Sequence, residues 1–210
     1  MTTMMKRQTG AFTLIEVMIF SALSLILIGV LTQTFILAAR GTEDSRTRVD
    51  LQQTAVLILK RIEADLGTTS FRAMKAHEDD IYVLAMAQIA GINENSNAIW
   101  KDTQVLYGYD PATKVLHRDE FIPAPPPLSP IPPYLPTDAE LLGLAKSAQD
   151  RKLVLSPYVE EFAVTDQKGN TTAFLVNPLK LTLKFKRPLS TAERSTEFNV
   201  ERRFTMRNSF

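Results

Sequence analysis

Two histidines, His77 and His117, and no cysteine are what this 210-residue chain offers for metal or nucleophile chemistry. They lack the mutual spacing of a zinc site, and no thiolate is present to complete one. His77 heads the run His77-Glu78-Asp79-Asp80. That cluster could hold a cation, but a charged loop end is the commoner arrangement. His117, beside Arg118 and Asp119, reads onto a solvated strand face. The oxygen-rich stretches NENSN and DQKGN do not match a calcium-binding loop. The eight glycines are scattered, and no phosphate loop or G-x-S-x-G elbow appears. The sequence therefore predicts no enzyme site, no metal and no cofactor. The residue that stands out is a lone carboxylate, Glu16, set at the edge of an apolar run.

That run extends from Val17 to Ala39, 23 residues without a charge. A helix needs about 20 such residues to cross a bilayer core. A general secretory signal has an apolar region of about 7–15 residues with small residues at its far end. Here the run is longer and the small residues Gly10 and Ala11 precede it, so the segment is expected to remain in the mature chain. Lys6 and Arg7 lie before it, with no acid among the first ten residues. The positive-inside tendency then places the N-terminus in the cytoplasm and everything after Arg40 outside. A carboxylate at a helix centre costs on the order of 2.5–3.5 kcal/mol on insertion scales. Near the cytoplasmic end the cost is lower, and Glu16 either marks the edge of the span or serves a function.

The stretch G-A-F-T-L-I-E-V, residues 10–17, after a short basic leader resembles the class III signal of type IV pilins and pseudopilins. The resemblance implies cleavage of the leader by a prepilin peptidase and N-methylation of the new first residue. It also implies an acid at the fifth mature position that neutralises a neighbouring subunit's N-terminal amine in the filament. Cleavage between Ala11 and Phe12 makes Phe12 the methylated residue and Glu16 the fifth. Cleavage between Gly10 and Ala11 would make Glu16 the sixth. The family pattern has Gly directly before Phe, so the intervening Ala11 is a departure. The first option keeps both the Phe and the spacing. A buried charge without its partner is strongly unfavourable, so such pairing can also set register.

The elements behind these residues follow from periodicity. After the span, Leu51, Ala55, Ile58, Ile62 and Leu66 are spaced 4-3-4-4 and share one helix face, which Val56 and Leu59 widen. Arg48, Gln52, Lys60 and Glu63 fall on the wet side, and Gly67 is the stop. No proline interrupts Phe12–Leu66. A continuous helix of about 55 residues would span roughly 80 Å. A membrane anchor followed by an independent helix would show the same periodicity.

Beyond Gly67 the pattern is that of strands. DDIYVLAMAQIAG is one, though its Ala and Met content also allows a helix. AIWKDTQVLYGYD and KVLHRDEFI flank the turn DPAT and form a hairpin, with Tyr107, Tyr109, Val115 and Leu116 as buried or cross-strand residues. KLVLSPYVEEFAVTD precedes the turn KGN. Leu179, Leu181, Leu183 and Phe185 then alternate with Lys180, Thr182, Lys184 and Lys186, a strand with one wet face. TEFNVERRFTMRN reads as the last strand, antiparallel to that one. Eight of the twelve prolines lie between Pro123 and Pro136, where polyproline II is favoured and ladder donors are missing. That insert is a rigid loop or a contact arm. Thr137 and Glu140 have capping-box spacing for a short helix over 138–149.

The fold class expected is α+β. A leader (1–11) precedes a transmembrane helix (12–40). An amphipathic continuation (41–67) seats a β-rich antiparallel head (68–210). The whole chain has 24 basic and 23 acidic side chains. Without Lys6 and Arg7 the balance is 22 against 23, or −1, which gives no sign of a nucleic-acid surface. Without cysteine the chain cannot close the C-terminal disulfide loop of many major pilins. The order of elements is similar to that of J-type minor pseudopilins of type II secretion and W-type minor pilins of type IV pili. The K type usually lacks the fifth-position acid. The resemblance implies a tip or initiating subunit held in the bacterial inner membrane, with its head in the periplasm. Implied partners are other minor and major pseudopilins or pilins, the prepilin peptidase, the inner-membrane assembly platform and, as a further candidate, secreted cargo.

Overall fold

The computed structural model describes residues 13–123, 135–146, 153–171, 175, 177–189 and 194–206. Gly10, Ala11 and Phe12 lie outside these residues. So do most of the proline-rich insert (124–134) and the last part (147–149) of the second expected helix. The chain divides into two compact units, residues 1–45 and 46–210. Its architecture is α+β: a long N-terminal apolar helix followed by an antiparallel β domain.

Helix α1 runs Leu14–Gly67, 54 residues, and ends at the expected glycine. In the second unit two sheets follow it. The first has strands β1 (Met74–Glu78), β2 (Tyr82–Ile92), β3 (Ala98–Asp110), β4 (Val115–Phe121) and β5 (Leu153–Ser156) in that spatial order. The second has β6 (Val159–Thr165), β7 (Leu179–Pro188) and β8 (Ser195–Phe204). All neighbouring strands are antiparallel. A short helix, α2 (Asp138–Lys146), lies between β4 and β5 in the chain. Thr137 and Glu140 form the expected capping box: the Thr137 N–H and hydroxyl donate to Glu140 Oε2 at 2.7 and 2.9 Å.

The alternation of each strand decides which core it joins. Met74, Ala76, Tyr82, Leu84, Met86, Val105, Tyr107, Tyr109 and Leu116 form one cluster with the buried face of α1 and with Val159, Phe162, Leu181, Leu183 and Phe185 of the second sheet. Ile81, Val83, Ala85, Leu106 and Phe121 instead meet Leu141 and Ala145 of α2. The first sheet is thus covered on both faces. This is why Tyr82–Gln88 and Gln104–Tyr109 are buried without a break.

The same double cover corrects one expectation. His117, Arg118 and Asp119 are not on a solvated face; they are 3%, 6% and 3% exposed. On β4, Leu116 joins the cluster on the α1 side and Phe121 the cluster on the α2 side, so neither face of the strand is free. Val56 is another correction: it is 48% exposed, and Leu59 alone widens the buried face. His77 and Glu78 close β1, and Asp79 and Asp80 lie between β1 and β2. KLVLSPYVEEFAVTD is two strands in different sheets, parted at Pro157. On β7, Leu179, Leu181, Leu183 and Phe185 are buried as expected, but Thr182 is buried with them. The lysines beside them are paired across strands: Lys180 with Glu201 at 3.0 Å, Lys186 with Glu197 at 2.9 Å, and Lys184 with Glu161.

Candidate functional site

In the first unit the start of α1 explains Glu16 locally. The Thr13 N–H and hydroxyl each donate to Glu16 Oε2 at 3.1 Å, and the Glu16 N–H points back to Thr13 Oγ1 at 3.4 Å. Thr13 is therefore the N-cap and Glu16 the third helical residue of a capping box. The carboxylate also sits at the positive end of the helix dipole. The pattern T-L-I-E carries this signal in the sequence, masked by the apolar run beside it.

From Leu14 to Leu37 the large apolar side chains are exposed, 43–82% each. By length and composition this helix is able to cross a membrane. Three of its hydroxyls donate to the backbone one turn earlier in the helix. Ser21 donates to Val17 O, Thr32 to Ile28 O and Thr34 to Val30 O, at 2.7–2.8 Å. That is what a hydrocarbon surrounding requires of polar groups.

In the second unit all five expected packing residues, Leu51, Ala55, Ile58, Ile62 and Leu66, are buried in one cluster. Each of the Leu and Ile side chains contributes about 1.5–3 kcal/mol by burial. The buried face also carries a charge that periodicity does not single out. Asp65, 6% exposed, faces the centre of the first sheet. Arg118 of β4 donates to it through Nε at 2.8 Å and Nη2 at 3.2 Å. The Tyr107 hydroxyl of β3 donates at 2.6 Å, and Gln88 Nε2 of β2 at 3.1 Å. Gln88 in turn accepts from Lys101 Nζ at 3.0 Å, and Arg118 Nη1 donates to Glu120 at 2.7 Å.

This cluster meets the rule for a buried charge, because fork-to-fork geometry and further donors satisfy both oxygens. Burial first, then the hydrogen bond to Asp65 and its charge, raises the Tyr107 hydroxyl far above its ordinary value. Burial alone would lower the Arg118 guanidinium, but its bonds to Asp65 and Glu120 prevail and raise it. Both groups are fixed donors at any physiological pH. The signal was present in the sequence: Asp65 is three residues after Ile62, on the apolar face.

A second joint holds the two sheets together. Phe162 of β6 is ringed by Tyr82, Tyr107 and Tyr109, with ring centroids 5.6, 6.4 and 6.5 Å away. The Tyr82 hydroxyl donates to Val164 O at 3.0 Å and accepts from Val164 N at 3.2 Å. The Tyr109 hydroxyl donates to Glu160 O at 2.6 Å. These hydroxyls satisfy backbone groups along β6, an edge strand. Burial, followed by the charges of Glu160, Glu161 and Asp110, pushes the Tyr109 hydroxyl up to about 12.

Among the described residues no three His, Asp or Glu side chains stand together as a metal site. A cleft of about 470 Å³ is lined by Thr113, Lys114, Tyr158, Lys186 and Arg194 among others. Lys114 and Lys186 there are held by Glu160 and Glu197. The arrangements with most chemical content are therefore the capped acid at the start of α1 and the acid buried at its end. Comparison with known proteins found no matching family model, no matching curated protein and no matching solved structure.

Proposed function

We propose that this chain is a pilin-type subunit, a minor pseudopilin of type II secretion that acts as a tip or initiating subunit of the periplasmic pseudopilus. One observation carries the reading: a carboxylate, Glu16, capping the first turn of an apolar helix whose own continuation seats an antiparallel β domain. In this reading the leader is removed between Ala11 and Phe12, Phe12 is methylated, and Glu16 meets the amine of a neighbouring subunit. The span holds the subunit in the inner membrane until assembly. The β domain binds sister subunits. The work is structural, and no reaction is assigned.

The test is intact mass and N-terminal peptide analysis of the chain co-expressed with a prepilin peptidase and a control substrate. N-methylated Phe12 is the expected result. A chain beginning at Ala11 would keep the family reading and remove the fifth-position register. An uncut chain beside a cut control would overturn the proposal. A minor pilin of a type IV pilus would pass the same test. Deletion separates the two: loss of protein secretion marks the pseudopilin, and loss of surface pili the pilin.

A further inference from the structure

The geometry points to Asp65 as the place where tension along α1 enters the first sheet. Its use in a cell rests on the assembly role proposed above. The coupling itself is a property of residues 46–210 and is measurable without any assembly machinery, so the two readings fail separately.

Beyond Gly67 the chain runs through Thr68–Ser70 and a single 3₁₀ turn, Phe71–Ala73, into β1. β1 is a five-residue strand at the edge of the sheet, bound on one side only, to β2. Tension passed covalently through this link would peel β1 away one hydrogen bond at a time. The link has its own anchorage, since Ile89 N donates to Thr68 O at 2.6 Å and the Thr69 hydroxyl donates to Ala87 O. Both are neutral bonds to one strand, at a place where the β2–β3 register is irregular.

Asp65 lies two residues before the helix ends, upstream of that link. Its four donors come from β2, β3 and β4, the three inner strands of the sheet. The apolar face of α1 resists separation from the sheet. It resists sliding weakly, because hydrophobic burial has no direction. Hydrogen bonds of 2.6–3.2 Å weaken steeply with displacement and angle, and those to a charge are the stronger kind. A pull along α1 therefore meets the Asp65 cluster before it meets the link.

The test uses the full chain in nanodiscs, held between two introduced cysteines; the chain has none of its own. One handle pair, Gln52→Cys with Asn95→Cys, loads α1 against the first sheet. A second, Asn95→Cys with Lys168→Cys, loads the β domain without passing through α1. The variant is Asp65→Leu/Tyr107→Phe/Arg118→Met, an apolar replacement of the kind that often leaves stability intact. Its melting temperature is expected to stay within about 5 °C of the parent. Its rupture force through α1 is expected to fall about twofold as the charge-assisted bonds are lost. Its rupture force in the second geometry is expected to stay unchanged.

An unchanged force through α1 would overturn the inference. So would an equal fall in both geometries, or a variant that does not fold, because the cluster would then be general support. Arg118→Lys gives an independent reading, since it keeps the charge and loses the fork. Its force through α1 should also fall, and an unchanged value would count against the inference in the same way.

Discussion

Gly108→Ala is a sharp test of how β4 is buried. Gly108 lies opposite His117 in the β3–β4 ladder. A Cβ built there would lie 2.4 Å from both Cε1 and Nε2 of the His117 ring. Ordinary contact between such atoms needs about 3.5 Å. The ring must therefore move by about 1 Å, and at 3% exposure it has little room to do so. Backbone preference acts the other way, since Ala in a strand is favoured over Gly by roughly 0.5–1 kcal/mol. Overpacking costs about 1–3 kcal/mol, so the clash wins and a net loss of about 1–2 kcal/mol is expected. For the 165-residue second unit that is a fall in melting temperature of about 2–8 °C. Urea unfolding of Gly108→Ala, His117→Ala and the double variant measures the coupling. The double variant should be more stable than the sum of the singles by about 1 kcal/mol. Additive singles, or a Gly108→Ala within about 0.5 kcal/mol of the parent, would refute the close packing.

Three further outcomes are expected. Asp65→Ala leaves the Arg118 guanidinium buried with Glu120 as its remaining ion-pair partner; breaking a buried pair costs about 3–5 kcal/mol, readable as a fall in urea midpoint. That loss should exceed the change in the apolar triple variant, and the reverse order would deny the ionic role. The ion pair that ties the start of α2 to β1 should weaken at acid pH. Lys75, hydrogen-bonded at 2.9 Å, holds the Asp138 carboxyl below its ordinary value, burial opposing and the charges of Lys75 and His77 assisting. A lowered folded pKa gives stability that is present above the unfolded carboxylate value and lost as pH falls through the folded one, below about 4. Amide exchange in α2 should rise there, and Asp138→Asn should flatten the response. Glu16→Gln keeps a capping-box acceptor and removes the charge. Under the proposed function it fails in assembly while the helix survives by circular dichroism, and normal assembly would reduce Glu16 to a cap.

What was legible in the sequence came from period. The 4-3-4-4 spacing of Leu51 to Leu66 fixed the buried face of α1, and the two-residue period of Leu179 to Phe185 fixed that of β7. Period failed where both faces of a strand are covered. His117, Arg118 and Asp119 look like a solvated run because three adjacent polar residues commonly are one. Here Arg118 turns to Asp65 on the α1 side, while His117 lies over Gly108 on the other. Neither partner is near in sequence, so no local pattern could reveal them. Val56 failed for a smaller reason: one helix face admits Leu59 or Val56 beside Ile58, and the sheet covers Leu59. The Thr13–Glu16 cap was legible in T-L-I-E, but beside an apolar run the acid looks like a cost rather than a cap.

Of the acids on α1, Asp65 and Glu16 differ in how much of their hydrogen-bonding capacity the chain itself uses. A carboxylate can accept about four hydrogen bonds. Asp65 receives four from side chains of its own chain, spread over both oxygens, and has little capacity left for another partner. Among the described residues Glu16 receives two, both from Thr13 and both on Oε2. No bond to its Oε1 is found among the described residues, and the side chains around it are exposed and apolar. In water that deficit has no consequence, because solvent fills it. At the edge of a hydrocarbon layer it is an unmet demand for a donor, strongest for a cationic one. An N-terminal amine of a neighbouring helix is such a donor. The capping box leaves room for it, since the cap engages one oxygen and turns the acid toward the start of the helix. A role for Glu16 in helix capping and a role in joining subunits are therefore compatible, and loss of its charge alone tells them apart.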